Sequence, residues 1–304
     1  MVAVVKTTEG PGRKPEWLKK PLPKAAAMRE VEATLRGRSL HTVCESAKCP
    51  NKGECFGRGT ATFLIMGDVC TRDCGFCSVS GGLPGHLDPA EPAQVADAAA
   101  VLGLEHVVIT SVTRDDLPDG GASHFAETIR AVRGRLPECT VEVLIPDLGG
   151  VRASIDAVLD AAPDVFNHNV ETVPRLYARV RPQADYRRSL EVLEYAAERG
   201  GVVVKTGLMV GLGETEEEVR SFLADAAGAG VALVTIGQYL RPSRDHLPVT
   251  EYVPPRVFEQ YRSAGEALGL LVESAPFVRS SYHAEEGLRR FGARGAGTAK
   301  EDQC

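Results

Sequence analysis

Residues 61–77 read ATFLIMGDVCTRDCGFC: an apolar run, Ala61–Met66, leads within a few residues into Cys70, Cys74 and Cys77, spaced C-x3-C-x2-C. A short apolar run without clean alternation suits a parallel strand buried on both faces. A loop of chemistry-bearing residues directly after such a strand fits α/β barrels, whose sites gather at the C-terminal ends of the strands. Just upstream, CESAKCPNKGEC spaces Cys44, Cys49 and Cys55 as C-x4-C-x5-C, so six of the eight cysteines fall in one short stretch. A closed four-iron cluster takes four cysteines. A triplet therefore suggests a cubic cluster with one iron open to another ligand, and the chain carries two triplets. Structural zinc would more naturally show two C-x2-C pairs or cysteines mixed with histidines. A disulfide framework belongs to small secreted domains.

Further β-rich apolar runs alternate with helical patterns downstream: His106–Ser111, Val141–Ile145, Val165–Val170, Val202–Met209 and Leu233–Tyr239. The helices between them announce their ends. Asp88 offers an N-cap, with Pro89 behind it and Glu91 at the third helical position; Gly103 closes that segment. Thr215 and Glu218 make a capping box. Met28 to Leu35 reads as a short helix ahead of the first cysteine loop. Six β/α units joined by right-handed crossovers curl into an open barrel, so the expected fold is α/β, a partial (β/α)6 TIM-like barrel. The expected division is a basic N-terminal arm (1–24), an extension with the first cysteine loop (25–60), the barrel (61–270) and a C-terminal extension with a mobile tail (271–304). On this frame the second cysteine loop, Thr113–Asp115, Asn169–Glu171 and Gly211–Glu214 all fall on one rim.

The 304 residues, 43% hydrophobic and 25% charged, can bury a large core. No apolar run approaches the length of a membrane span, and the N-terminal residues lack the pattern of a signal peptide. A cytoplasmic protein is expected. A net charge of −6 gives no electrostatic footprint for nucleic acid. The basic stretch Arg13–Lys24 reads as a solvated tail, or as a docking strip for an acidic protein.

The second triplet, with Phe76 before its last cysteine, resembles the radical S-adenosylmethionine (SAM) signature. Both triplets together with Arg279-Ser280-Ser281-Tyr282 resemble the lipoyl synthase family. The likeness runs from about Trp17 to His283 and includes TSVTRDDLPDGG (110–121), NHNVETV (167–173) and GLMVGLGET (207–215). The resemblance implies two 4Fe-4S clusters. One is held by Cys70, Cys74 and Cys77, its open iron chelating SAM for reductive cleavage to a 5′-deoxyadenosyl radical. The other is an auxiliary cluster on Cys44, Cys49 and Cys55, completed by the Ser281 oxygen. An oxygen ligand is harder than thiolate and more readily released from a soft iron–sulfur unit, which suits a cluster consumed as sulfur donor.

The implied reaction inserts sulfur at C6 and C8 of an octanoyl chain on a lysine of a lipoyl carrier protein, at two SAM per lipoyl group. The implied carriers are 2-oxoacid dehydrogenase E2 domains and the glycine cleavage H protein. A ferredoxin or flavodoxin-type reductant and a cluster-rebuilding Fe-S carrier are implied as well; no nucleic acid or membrane partner is. Glu171, helped by Asn169, is expected to face SAM, as are Gly211, Gly213 and Thr113. Read without the resemblance, Gly211–Glu214 is a tight turn, Glu171 a surface carboxylate, Thr113–Asp115 a turn with a local ion pair, and Ser281 part of a hydrogen-bonded turn. Lys205 and Arg241 bring positive charge to the rim with no assignable partner. Cys139 and Cys304 are expected bystanders, and His168 a rim or core residue. Two other classes compete: a thiolating radical enzyme acting on RNA or a small molecule, and an iron–sulfur electron carrier or scaffold. A carrier would favour four cysteines per cluster.

Overall fold

Apolar runs flanked by amphipathic helices assemble into one open sheet. The computed structural model describes residues 12–19, 25–57, 61–282 and 284–298. Most of the basic arm (1–11 and 20–24), His283, and the last residues with Cys304 lie outside them. In chain order the strands are β1 (His41–Thr42), β2 (Thr62–Ile65), β3 (Val69–Cys70), β4 (Ser80–Gly81), β5 (His106–Ser111), β6 (Thr140–Leu144), β7 (Val165–Asn167), β8 (Val203–Val210), β9 (Leu233–Gln238) and β10 (Leu271–Ser274). The sheet order is β1-β2-β5-β6-β7-β8-β9-β10, with β3 and β4 a separate ribbon. All neighbours in the sheet are parallel except β1, which runs antiparallel on β2.

Helices Glu91–Val101, Ala122–Arg135, Arg152–Leu159, Tyr186–Arg199, Glu216–Gly228 and Pro255–Glu266 follow β2, β5, β6, β7, β8 and β9 in turn. These are the six expected β/α units, and β10 is an addition to them. The sheet stays open. Its strands are buried as their apolar character requires: every residue of β2 and β9 is buried. The helix expected over Met28–Leu35 spans Ala25–Arg36.

One cap differs from expectation. The helix after β2 begins at Glu91 with Ala90 before it, while Asp88 Oδ1 accepts from the Ala90 amide at 2.8 Å in the preceding turn. Glu91 is buried and turns inward, where it accepts from the Met66 amide at 2.8 Å and faces His124 Nε2 at 2.7 Å. Its carboxylate is spent on the core and so cannot cap. The second helix start is as expected: Thr215 Oγ1 accepts from the Glu218 amide, and Glu218 Oε2 accepts from the Thr215 amide.

Lys205 finds its partner inside the barrel. Its Nζ lies 2.9 Å from Glu142 Oε1, which also accepts from Asn167 Nδ2 at 3.1 Å. Both charged side chains are buried, and each compensates the other's lost hydration. Arg241 instead donates to the backbone carbonyls of Arg244 and His246.

Candidate active site

The second cysteine triplet follows the C-terminal end of β2, where the barrel rim was expected. Cys70 Sγ accepts from the amides of Arg72 (3.4 Å) and Thr113 (3.3 Å). The Gly75 amide donates to the Val180 carbonyl at 3.0 Å, and Gly75 accepts from the Leu247 amide at 2.9 Å. His246 Nε2 lies 2.8 Å from the Cys77 carbonyl.

Beneath the loop Arg72 acts as a clamp, with Nε and Nη2 each 2.8 Å from Asp115 and Nη2 2.7 Å from Asp147 Oδ1. Arg72 and Asp147 are buried. Burial alone would raise the Asp147 pKa, but the Arg72 hydrogen bond and charge outweigh it and hold it at about 2. A guanidinium forked between two carboxylates fixes direction as well as charge, and it ties the loop to Asp115 and Asp147.

Burial pushes the Cys77 thiol up to about 12, and it raises Cys74 too, against the opposing charge of Arg181. Burial thus favours the protonated thiols of Cys74 and Cys77, and binding a metal there releases their protons. Arg181 brings its charge near Cys74 and donates from Nη1 to the Asn169 carbonyl at 2.7 Å.

Of the remaining rim residues, Glu171 lies near enough to Cys74 and Cys77 for its charge to bear on them. Asn169 Nδ2 donates to Glu171 Oε1 at 3.0 Å. Glu171 is left-handed (φ 69°) and held there by two backbone hydrogen bonds to Gly207 and Met209 of β8. Such strain in a non-glycine residue is typical of sites where direction matters. Burial raises the Glu171 pKa despite Arg181 and Arg279 nearby. His168 is buried, with Nδ1 2.9 Å from the Ile145 carbonyl, and burial lowers it to about 4.

Gly211 and Gly213 are left-handed at φ 101° and 109°. The room beside Gly211 is filled by Gln238 and the Glu251 carbonyl, so protein packing by itself requires glycine there. Glu214 accepts from the Gly211 and Leu212 amides. Thr113 meets Cys70 through its amide, as given above, and its carbonyl accepts from the Thr71 amide at 3.1 Å. The local ion pairs are Arg114 with Asp116 and Asp115 with Arg72. Cys139 is buried and directs its thiol at the Thr140 carbonyl, 3.4 Å away.

The first triplet lies elsewhere. Cys44, Cys49 and Cys55 line one pocket with Ala61, Thr62, Arg279 and Ser281. Ala61 and Thr62 stand at the start of β2, so the two triplets flank opposite ends of this strand. Burial raises Cys44 to about 11, although its contacts with Thr62 oppose the rise. Ser281 reaches this pocket across 219 positions of sequence and accepts from Thr62 Oγ1 at 2.9 Å. Asn51 Nδ2 donates to the Phe277 carbonyl at 2.7 Å, and the Tyr282 hydroxyl donates to Glu54 Oε1 at 2.7 Å. These bonds tie the C-terminal segment to the first cysteine loop.

Glycines in the sheet let that segment enter the barrel. A Cβ at Gly207 would lie 2.6 Å from Asn169 Oδ1 and 2.9 Å from Ser280 Oγ, and one at Gly237 would overlap the Val278 carbonyl. Gly237→Ala is therefore expected to lower stability by about 2 kcal/mol through overpacking and to expose residues 275–282 to protease. Gly228→Ala, with open space beside it, is the control. Equal denaturation midpoints for the two variants would show that the segment is not seated on Gly237.

Arg72, Asp147, Arg181, Gln238 and Arg279 support the two sites and were not singled out for these roles from the sequence. Their partners are distant in the chain; a glycine inside a strand-like run, however, does signal a close approach, and Gly207 and Gly237 carry it. Among the described residues no three His, Cys, Asp or Glu side chains converge as on a single metal ion. A cubane spreads its thiolates over separate irons, so this geometry does not bear on a cluster.

Comparison with known proteins places this arrangement. A model of the radical SAM superfamily matches residues 64–226, and one described as the N-terminal domain of lipoyl synthase of the radical SAM family matches residues 3–49. The fold is similar to that of methylornithine synthase (TM-score 0.54, 14% identity, 90% of this chain and 89% of that one) and of HydG, a maturase of the [FeFe]-hydrogenase (0.53, 14%, 88% and 76%). The class is therefore a radical SAM enzyme, which carries SAM and a 4Fe-4S cluster. The lipoyl synthase of Rubrobacter xylanophilus is 58% identical over 93% of this chain and 89% of its own length. That of Caldanaerobacter subterraneus is 57% identical over 91% and 97%. The chain belongs to the lipoyl synthase family.

Proposed function

We propose that the protein inserts two sulfur atoms, at C6 and C8, into an octanoyl chain amide-linked to a lysine of a carrier protein, forming the lipoyl group. The observation that carries this reading is the meeting of Cys44, Cys49 and Cys55 with Ser281 in one pocket, apart from the rim cysteines. Both donor sets suit a cluster. The rim loop offers three cysteines with backbone amides and Arg181 directed at sulfur. The pocket offers three cysteines and a hydroxyl, with Thr62 directed at Cys44.

Cys70, Cys74 and Cys77 would hold the cluster at which SAM is cleaved. Cys44, Cys49, Cys55 and Ser281 would hold the auxiliary one. When bound, the groups supply a carbon radical able to take hydrogen from unactivated carbons, and the sulfur that replaces it. Asn169 and Glu171 would bind the polar groups of SAM, and Gly211 and Gly213 would shape the turn beside it. Thr113 would position Cys70 through its amide. The barrel interior, bounded by the 275–282 segment, would hold the acyl chain between the two sites and exclude water and competing hydrogen donors.

The carrier would be a 2-oxoacid dehydrogenase E2 domain or a glycine cleavage H protein. A ferredoxin or flavodoxin would supply electrons, and an Fe-S carrier would rebuild the consumed cluster. No described helix is long and apolar enough to cross a membrane. The deciding experiment is mass spectrometry of an octanoylated carrier domain after anaerobic incubation with reconstituted protein, SAM and reductant. Two sulfur atoms gained per acyl group, with two 5′-deoxyadenosines formed, is the expected result. Deoxyadenosine without sulfur gain would reject the sulfur-inserting reading.

A further inference from the structure

The serine next to Ser281 occupies a position of its own. Ser280 Oγ donates to Asn169 Oδ1 at 2.8 Å, and the same amide donates through Nδ2 to Glu171 Oε1 at 3.0 Å. One residue further, Ser281 accepts from Thr62 at 2.9 Å inside the cysteine-lined pocket. The chain of contacts is short and made of directional bonds, and the absence of a Cβ at Gly207 leaves room for Asn169 and Ser280 to meet. Arg279, which lines that pocket, also faces Glu171 and Cys49.

We propose that Ser280 is a positioning residue that couples the rim site to the auxiliary pocket: through Asn169 it makes SAM binding and the seating of Ser281 depend on one another. This rests on the reading that Asn169 and Glu171 take SAM. Asn169 has its carbonyl oxygen oriented by Ser280 and its amino group by Glu171. Without the Ser280 hydroxyl the amide loses the bond that fixes its rotation, and the adjacent serine loses its anchor on the rim side. Coupling of this kind is reciprocal: whatever Ser281 seating contributes to SAM affinity, bound SAM returns to Ser281 seating.

The test uses the anaerobically reconstituted protein and SAM without reductant. Equilibrium binding is measured for the parent, Ser280→Ala, Asn169→Ala and the double variant. Ser280→Ala is expected to weaken SAM binding about three- to tenfold, the usual worth of one hydrogen bond. It should have no further effect once Asn169 is alanine. Loss of iron to a chelator is then followed in a Cys70/Cys74/Cys77-intact background with and without SAM. SAM is expected to change the rate of the chelator-sensitive phase that is absent from the Cys44→Ala variant, and Ser280→Ala is expected to abolish that change.

A merely structural Ser280 would lower thermal stability without giving non-additivity or a SAM-dependent iron phase. Additive effects of Ser280→Ala and Asn169→Ala, or a SAM-dependent phase that survives Ser280→Ala, would overturn the coupling. If Asn169→Ala and Glu171→Gln both bind SAM as the parent does, the rim assignment is the part that fails, and the coupling built on it falls with it.

Discussion

Protein in which Cys70, Cys74 and Cys77 are all alanine is expected to lose reductive SAM cleavage entirely while keeping an iron–sulfur chromophore at the first triplet. The reverse replacement, of Cys44, Cys49 and Cys55, should retain SAM cleavage and lose sulfur insertion. The structure explains why the two sets separate. The rim loop is braced by Arg72, Asp115 and Asp147, none of which touches the first pocket. The pocket is closed by Asn51, Thr62 and Tyr282, none of which braces the rim. Two four-iron cubanes correspond to about eight irons per chain, so each triple variant should hold about four. Iron and sulfide analysis with deoxyadenosine and product assays decides the matter. Loss of all iron from either variant would mean that the six cysteines serve one site.

Replacing Ser281 is expected to split the two activities more finely. Ser281→Ala leaves three thiolates and the Thr62 hydroxyl in the pocket, so a cluster can still assemble. Ser281→Cys offers a softer ligand that should bind iron more firmly and release it less readily. Both variants should cleave SAM at near-parental rates and lose lipoyl product by about tenfold or more, equivalent to about 1.4 kcal/mol at the sulfur-transfer step. Product per chain, divided by iron per chain, is the quantity to compare. Parental product from either variant would make Ser281 an ordinary hydrogen-bonding partner of Thr62.

The strands were legible in the sequence because each is a compact apolar run between turn signals; all six expected runs appear as parallel strands in the expected order. β10 escaped because Leu270–Val272 is a very short apolar patch followed directly by Glu273. β1 has two residues and exists only by pairing with β2. The cysteine triplets stand out by spacing, and Asn169, Glu171 and the glycine turn lie after strands as expected, while the roles proposed for them come from family likeness. The clamp of Arg72 on Asp147, 75 positions away, is a product of tertiary folding with no local pattern to betray it. Asp88 misled because its Pro89–Glu91 context imitates a helix start, whereas the core claimed Glu91 for His124 and the Met66 amide. The role proposed for Ser281 comes from family likeness, and the residue types alone pointed to a turn.

The bonds that tie the C-terminal segment to the first cysteine loop join positions 226, 219 and 228 apart. During synthesis, therefore, a growing chain exposes all six clustered cysteines long before Ser281 has been made. The rim loop needs only residues up to Leu247 for the contacts that hold it, so it can take shape while the ribosome is still at work. The other pocket stays open on one side until translation passes Tyr282. Chains that stop short would present Cys44, Cys49 and Cys55 without the segment that closes their pocket.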